Sequence, residues 1–288
     1  MTTQAQDKTP IGQSEESLKH LFSEITSSPD DEERTVLADT FTGQFKQVLR
    51  EKGSFVYTYS QLPNISALTS PDQRFRIYTW NVPLHSGTNR FYGLIQFRDP
   101  VTDSVRILDL SDKGSEIHDP EDMILASERW YGAIYFQIIA NQMSNGETLY
   151  TLLGWRGENM LVTVKLIEIL TVTPDGNVIF GKPIFCQFGE TNPARILFRH
   201  SATITMSLRY EEQRLVADKV WNAKRGKFEV TSEKTFLIIV DRLIPSNPQL
   251  EGQYEYYIPS GDIIDGFLFR NSCWNFLGQV DARNPTAK

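Results

Sequence analysis

The chain has 288 residues, 29 basic and 36 acidic side chains, a formal charge of −7 and 40% apolar residues. The length is enough to bury a real core, the composition excludes wholesale disorder, and the acidic balance argues against general binding to nucleic acid or an anionic membrane. Two cysteines are too few for a disulfide scaffold or a four-thiolate zinc site.

The N-terminal stretch Met1 to Gln13 is polar and reads as a disordered tail, without the apolar segment of a signal peptide. Cytoplasmic residence is then the default. Thr2-Thr3-Gln4-Ala5-Gln6, however, has the small-and-Gln character of the end of a bacterial leader, and a removed leader would place the chain outside the cytoplasm. The greasiest runs, Leu166–Val172 and Phe236–Val240, fall well short of the roughly 18 residues that a spanning helix needs, so no transmembrane segment is expected.

Residues 14–53 predict a helical hairpin. Leu18, Leu21, Phe22 and Ile25 form one stripe behind a Ser14 cap. Ser28 and Pro29 start a second helix, with Leu37, Phe41, Phe45, Val48 and Leu49 on its buried face and Gly53 as its stop. From Phe55 the apolar period becomes two. Phe75–Trp80 alternates, with Arg76, Tyr78 and Trp80 on one face, and Phe91–Phe97 and Val105–Leu110 follow around the turn Asp99–Asp103. Residues 111–128 are acidic and irregular.

Arg129–Ala140 reads as one long strand, joined through Ser144-Asn145-Gly146 to Leu149–Trp155. Leu161–Val172 is long enough for a helix. Its Val, Ile and Thr content and the following turn Pro174-Asp175-Gly176-Asn177 favour a strand. Arg195–His200, Thr203–Tyr210 and Leu215–Val220 come next, then a hairpin around Lys224-Arg225-Gly226-Lys227. Phe236–Leu243 reads as a buried central strand. Tyr254–Ile258, Ile263–Phe269 and Trp274–Leu277 complete the set before a frayed end at 281–288. The expectation is a mainly β protein, an antiparallel sandwich or propeller-like array of about a dozen strands. Residues 54–280 would form one cooperative unit with the hairpin packed on it.

Several of these segments resemble a family of uncharacterised bacterial proteins common in Bacteroidetes-type bacteria. They are Thr69-Ser70-Pro71-Asp72 with Phe75–Asn81, Trp130–Tyr135, Tyr150–Trp155, Met206–Tyr210, Val240–Leu243, and Gly252-Gln253-Tyr254 with Asp265-Gly266. The resemblance spans about residues 55 to 270 and implies an extracytoplasmic setting. It brings no catalytic set with it.

His20, His85, His118 and His200 show no metal-ligand spacing, and neither cysteine sits in a Cys-x-x-Cys pair; no metal or cofactor is expected. The cluster His118-Asp119 with Glu121 and Asp122 reads as a solvated acidic loop. Cys186 reads as a buried structural thiol, while a Cys186–Cys273 bridge stays open and would support export. Glu168 and Asp241 lie inside apolar strands, where a carboxylate must be paired or change its pKa. An ion pair with an arginine such as Arg209 or Arg242 is the simpler reading. A glycan hydrolase using both carboxylates is the alternative. Trp80, Trp130, Tyr131, Trp155, Arg156, Tyr254 and Tyr256 are the candidate ligand-binding residues, with neighbouring Tyr257, because rings beside arginine suit a sugar or protein partner. The same rings also suit a core. The functional expectation is a non-enzymatic extracytoplasmic binding or interaction protein, its partner a carbohydrate or a protein.

Overall fold

The computed structural model describes residues 9–99, 101–222 and 227–280, with backbone alone for 216–222 and 227–233. The segments expected as the first part of the tail (1–8), the turn at 224–226 and the frayed end lie outside the described residues.

Helix α1 (Pro10–Ser27) starts earlier than the spacing predicted. Thr9, not Ser14, is the cap: its Oγ1 accepts the Gly12 N–H at 3.1 Å, and Pro10 at the first turn sacrifices no hydrogen bond. Helix α2 (Asp31–Val48) is capped by Asp30 rather than Ser28, because the Asp30 carboxylate reaches the N–H groups of Glu32 (2.7 Å) and Glu33 (3.2 Å). Ser28 instead donates to Glu33 at 2.6 Å. Gly53 does adopt a left-handed φ of 89°, but it opens a short 3-10 turn, Ser54–Val56, beyond the helix end.

The protein is mainly β, with the two helices packed on several antiparallel sheets. The first sheet is a meander of β1 (Ser66–Thr69), β2 (Phe75–Pro83), β3 (Asn89–Arg98) and β4 (Val105–Ser111). The second is built from β5 (Leu125–Ala126), β6 (Ile134–Gln142), β7 (Thr148–Gly157), β8 (Val162–Val172) and β9 (Val178–Phe180), in the order β5-β9-β8-β7-β6, with β11 (Arg195–Ser201) also paired to β8. The third contains β10 (Phe185–Cys186), β12 (Leu208–Asn222), β13 (Lys227–Pro245), β14 (Tyr257–Arg270) and β15 (Cys273–Gln279), in the order β10-β15-β14-β13-β12. The β10–β15 pair is parallel; the other paired strands of the described sheets are antiparallel.

The sheets stack in layers rather than radiating as blades. Phe41 and Phe45 of α2 meet Tyr78, Trp80, Tyr92 and Leu94 of the first sheet. The opposite face of that sheet, Phe75, Ile77, Phe91 and Ile95, packs on Tyr150, Leu152, Leu166 and Leu170 of the second. The second sheet's other face, Leu149, Leu153, Ile167 and Ile169, packs on Ile238, Val240, Phe267 and Trp274 of the third. Two sheets are therefore covered on both faces. This explains why β8 reads as a continuous apolar run and why helical length was a competing reading there.

Strands differ from the sequence expectation at several points. Thr203–Ser207 lie outside β12, which opens at Leu208 and runs on through the separately expected Leu215–Val220, and Ile263–Phe269 is part of a β14 that opens at Tyr257. β6 begins at Ile134, not Arg129, because Gly132 takes a φ of 82° and breaks the extended chain. The segment Tyr254–Tyr256 is a 3-10 turn ahead of β14. In β13 only Leu237–Val240 of the expected buried run Phe236–Leu243 are buried: Phe236 is 51% exposed and Asp241–Leu243 are half-buried.

Candidate ligand-binding cleft

The last residues of β7 carry a buried cation. Arg156 is 7% exposed, and its guanidinium lies between the rings of Phe91 (4.7 Å) and Tyr131 (4.8 Å). Its Nη1 donates to the carbonyls of Tyr131 (2.6 Å) and Gly132 (2.8 Å) and to Asp112 Oδ1 (3.3 Å). A buried charge needs such pairing to be tolerated. Asp112 in turn accepts the N–H groups of Phe91 (3.0 Å) and Gly114 (2.9 Å), which fixes the turn after β4 against β3.

This arrangement forms the floor of a cleft of about 610 Å³. β3 contributes Asn89 and Arg90. The turn after β4 contributes Lys113 to Ile117. Glu158 and Asn159 follow β7, and Arg199 comes from β11. The Arg199 guanidinium donates to Glu121, approaches Glu158 at 3.6 Å and lies 5.5 Å from the centre of the Tyr254 ring. The Tyr131 hydroxyl donates to Glu158 at 3.3 Å. Burial first, and the Glu158 charge second, push the Tyr131 pKa well up, so the phenol stays neutral. Lys113 pairs with Glu116 at 2.8 Å on the exposed rim, a contact worth little in stability. Arg90 is exposed, stacks over Tyr92 and has no carboxylate partner among the described residues.

The expected ligand-binding residues thus separate into distinct environments. Tyr131 and Arg156 line the cleft; Tyr254 does not, and touches it only through the Arg199 guanidinium over its ring. Trp155 is half-buried behind the wall, 6.3 Å from Phe91 and close to Gly157. Trp80 and Trp130 are core residues. Trp80 packs on Phe41 and Phe45 and stacks on Tyr92, and Trp130 donates to the Tyr135 hydroxyl at 2.8 Å. Tyr256 is 44% exposed on the same turn as Tyr254.

Glu168 is fully buried and paired with Arg195 at 2.6 Å, not with Arg209 or Arg242, which pair with Glu211 and Asp265. Its second oxygen accepts the Tyr135 hydroxyl. Asp241 accepts the Ser207 N–H at 2.7 Å. Glu168 faces the layer between the first and second sheets, whereas Asp241 belongs to the third. The apolar layer of Ile167, Ile169, Ile238 and Val240 lies between the sheets that carry them, so they do not form a facing pair. The acidic loop has a partner that sequence did not reveal, Arg199 on Glu121. Arg90, Lys113 and Arg199 were all missed, because lone cations on separate elements show no spacing pattern.

Two glycines make room for the buried guanidinium. A Cβ on Gly132 would lie 2.4 Å from Asp112 Oδ1 and 2.5 Å from Arg156 Nη1, and one on Gly114 would lie 2.4 Å from Arg156 Nη2. Gly146 supplies a control, since its φ of 84° nearly equals that of Gly132 but its surroundings are open. Gly146→Ala is expected to cost about 1 kcal/mol for the backbone alone, and Gly132→Ala about 2–3 kcal/mol more. Urea unfolding measures both; equal losses would show that Arg156 does not depend on that space.

Cys186 is not a free thiol. It is bonded to Cys273, with the two Cα atoms 6.1 Å apart. Among the described residues no helix is long and apolar enough to cross a membrane. No protein-family model, curated protein or solved structure matches the chain, so the chemistry of the cleft stands as the principal guide to function.

Proposed function

We propose that this chain is a non-enzymatic extracytoplasmic binding protein that takes a polar ligand, a carbohydrate or a peptide, in the cleft over Arg156. The cleft itself is the observation that carries this reading. Its volume lies in the range of small-ligand sites, and polar groups from β3, β7, β11 and the turn after β4 converge on it. The floor is held in place by the Arg156–Asp112 network, so the site needs little reorganisation on binding. The Cys186–Cys273 bridge supports the extracytoplasmic part, because such bonds persist in oxidising compartments. The sealed state of Glu168 weighs against the hydrolase alternative, since neither of its oxygens reaches solvent.

The test is an array of acidic and neutral oligosaccharides and peptides, probed with the full chain and with Ser115→Trp, which fills the cleft from its exposed rim. The expected result is retention of one class by the wild type, loss in Ser115→Trp, and recovery of that ligand chemically unchanged by mass spectrometry. Retention that Ser115→Trp leaves intact, or cleavage of the bound compound, overturns the reading.

A further inference from the structure

We infer that His200 is an acid-sensitive latch: when its imidazole takes a second proton, the end of the β11–β8 ladder opens and the cleft releases its ligand. The opening stands on the ladder alone. The release rests on the binding reading above and adds its regulation.

The ladder end carries two walls of the cleft. His200 stands opposite Thr163, and Ser201 opposite Val162. The Ala202 N–H donates to the Leu161 carbonyl at 2.8 Å, and the Val162 carbonyl accepts the N–H groups of Glu158 and Asn159, both at 3.2 Å. Glu158 and Asn159 line the cleft from one side of this ladder end, and Arg199, the neighbour of His200, lines it from the other. Side chains alternate along a strand. Arg199 therefore faces the cleft, while His200 shares the opposite face with Ile196 and Phe198, which pack toward the third sheet.

The imidazole is built in as the neutral form. It is 1% exposed, and its Nδ1 lies 2.8 Å from the Ser201 carbonyl oxygen. A carbonyl only accepts, so Nδ1 carries the proton and Nε2 is a bare acceptor. Nε2 is buried without a partner among the described residues. A second proton there would bury a charge and a donor with no acceptor.

The neighbouring charges do not offset that cost. The elements packed most closely on β11 are β8, β14 and the 3-10 turns Pro120–Asp122 and Tyr254–Tyr256. On β8, Lys165 shares the His200 face and is itself a cation, and Glu168 lies on the other face, held by Arg195. Glu121 is held by Arg199, and Asp265 on β14 by Arg242. Asp122, Glu255, Asp262 and the tyrosines 254, 256 and 257 contribute nothing to the charge on the ring; Lys165 does. Burial first, with Lys165 adding to it, holds the His200 pKa below the ordinary value, against the pull of the Ser201 carbonyl. Above about pH 6.5, the ordinary histidine value, the ladder has its full stability. As pH falls below that, the opened form takes up the proton that the closed form refuses. Opening then gains toward tenfold per pH unit until the lowered value is reached.

The test is amide exchange on the full chain without ligand, at pH 7.5 and pH 5, corrected for the intrinsic pH dependence of exchange. It reads opening at residues 158–163 and 199–202 against α2. Opening is expected to rise about tenfold at pH 5 in the wild type and to stay flat in His200→Asn, which does not titrate and keeps a side-chain donor near the Nδ1 position. The imidazole C–H signals give a second measurement on the wild type itself: His200 should titrate below the exposed His20, His85 and His118. An equal rise in His200→Asn, a rise shared by α2, no rise at all, or a His200 that titrates with the other three overturns the latch. The ligand class retained in the array should leave the wild type at pH 5 and stay on His200→Asn. Retention at pH 5 by a wild type whose ladder has opened overturns the release. An array that retains nothing overturns the binding reading and the release with it, and the exchange experiment still decides the latch.

Discussion

Arg195→Ala is expected to lower stability by about 3–5 kcal/mol, because removing one member of a buried ion pair strands the other charge. Both side chains are fully buried. Arg195 does more than neutralise Glu168. Its Nη1 donates to the carbonyls of Pro120 and Met123 (2.8 Å for the latter), and its Nη2 to that of Phe180 at 3.2 Å. Truncation therefore strands several buried carbonyls as well as a carboxylate. Glu168→Ala should cost a comparable amount, leaving the guanidinium without a counter-charge and the Tyr135 hydroxyl without its acceptor. The Tyr135 phenol cannot substitute as an anion. Burial, the largest cause of its raised pKa, persists when the Glu168 charge is removed. Arg195→Lys keeps the charge but loses the planar fork, so it should fall between wild type and Arg195→Ala. Urea unfolding measures all three, and losses below about 1 kcal/mol would show that the pair is solvated in solution.

The same variants have a second readout. The Ala194 N–H donates to the Glu121 carbonyl at 2.7 Å, and Arg199 holds the Glu121 side chain. The loop Pro120–Met123 thus hangs on β11 through Arg195, Ala194 and Arg199. Loss of Arg195 should raise amide exchange in residues 114–123, one wall of the cleft, before it does so in α2. A uniform rise across the chain would mean that the loop is not tied locally.

Glu168 shows what the sequence could and could not disclose. A carboxylate inside an apolar run announces that a partner exists, and that inference needs no structure. The partner's identity depends on which strand lies alongside. β11 pairs with β8 so that Arg195 stands directly opposite Glu168. The two are far apart in the chain, and no local pattern encodes that pairing. The aromatic residues were ambiguous for a related reason. Alternation in β2 placed Tyr78 and Trp80 on one face and Phe75 and Ile77 on the other, as observed, but both faces are covered. Period alone cannot tell a covered face from an open one. The cleft was half legible. Tyr131 and Arg156 stood out as a ring and a cation at strand ends, whereas Arg90 and Arg199 gain meaning only from the stacking of the first two sheets and the return of β11.

Opening the Cys186–Cys273 bridge is the other change with a large expected effect. The bond joins residues 87 apart in sequence. Closing a loop of that length removes entropy from the unfolded chain worth about 4–5 kcal/mol in the chain-entropy model, and measured losses for native bridges run about 2–5 kcal/mol. The local structure argues for the upper part of that range. β10 is a two-residue strand, Phe185–Cys186, at the edge of the third sheet and is paired only with β15. So short an edge has little hydrogen bonding of its own, yet it delivers the fully buried Phe185 and precedes Phe188, which packs against Phe267 and Phe276. Cys186→Ser with Cys273→Ser, or reduction of the wild type, should lower the melting temperature by on the order of 10 °C. Reductant should leave the double variant unchanged. The released segment also runs into Ala194 and Arg195, with the Lys182 N–H on the Ala194 carbonyl at 3.0 Å. Reduction is therefore expected to raise amide exchange at residues 182–195 and to weaken the hold of Arg195 on the cleft wall. Thiol titration of protein produced in an oxidising compartment checks the premise. Two free thiols before reduction would overturn it, and so would a melting temperature that reductant does not move. If reduction both destabilises the chain and loosens the cleft, folding in a reducing cytosol would leave the binding site poorly formed, and the compartment becomes a condition for ligand binding as well as for stability.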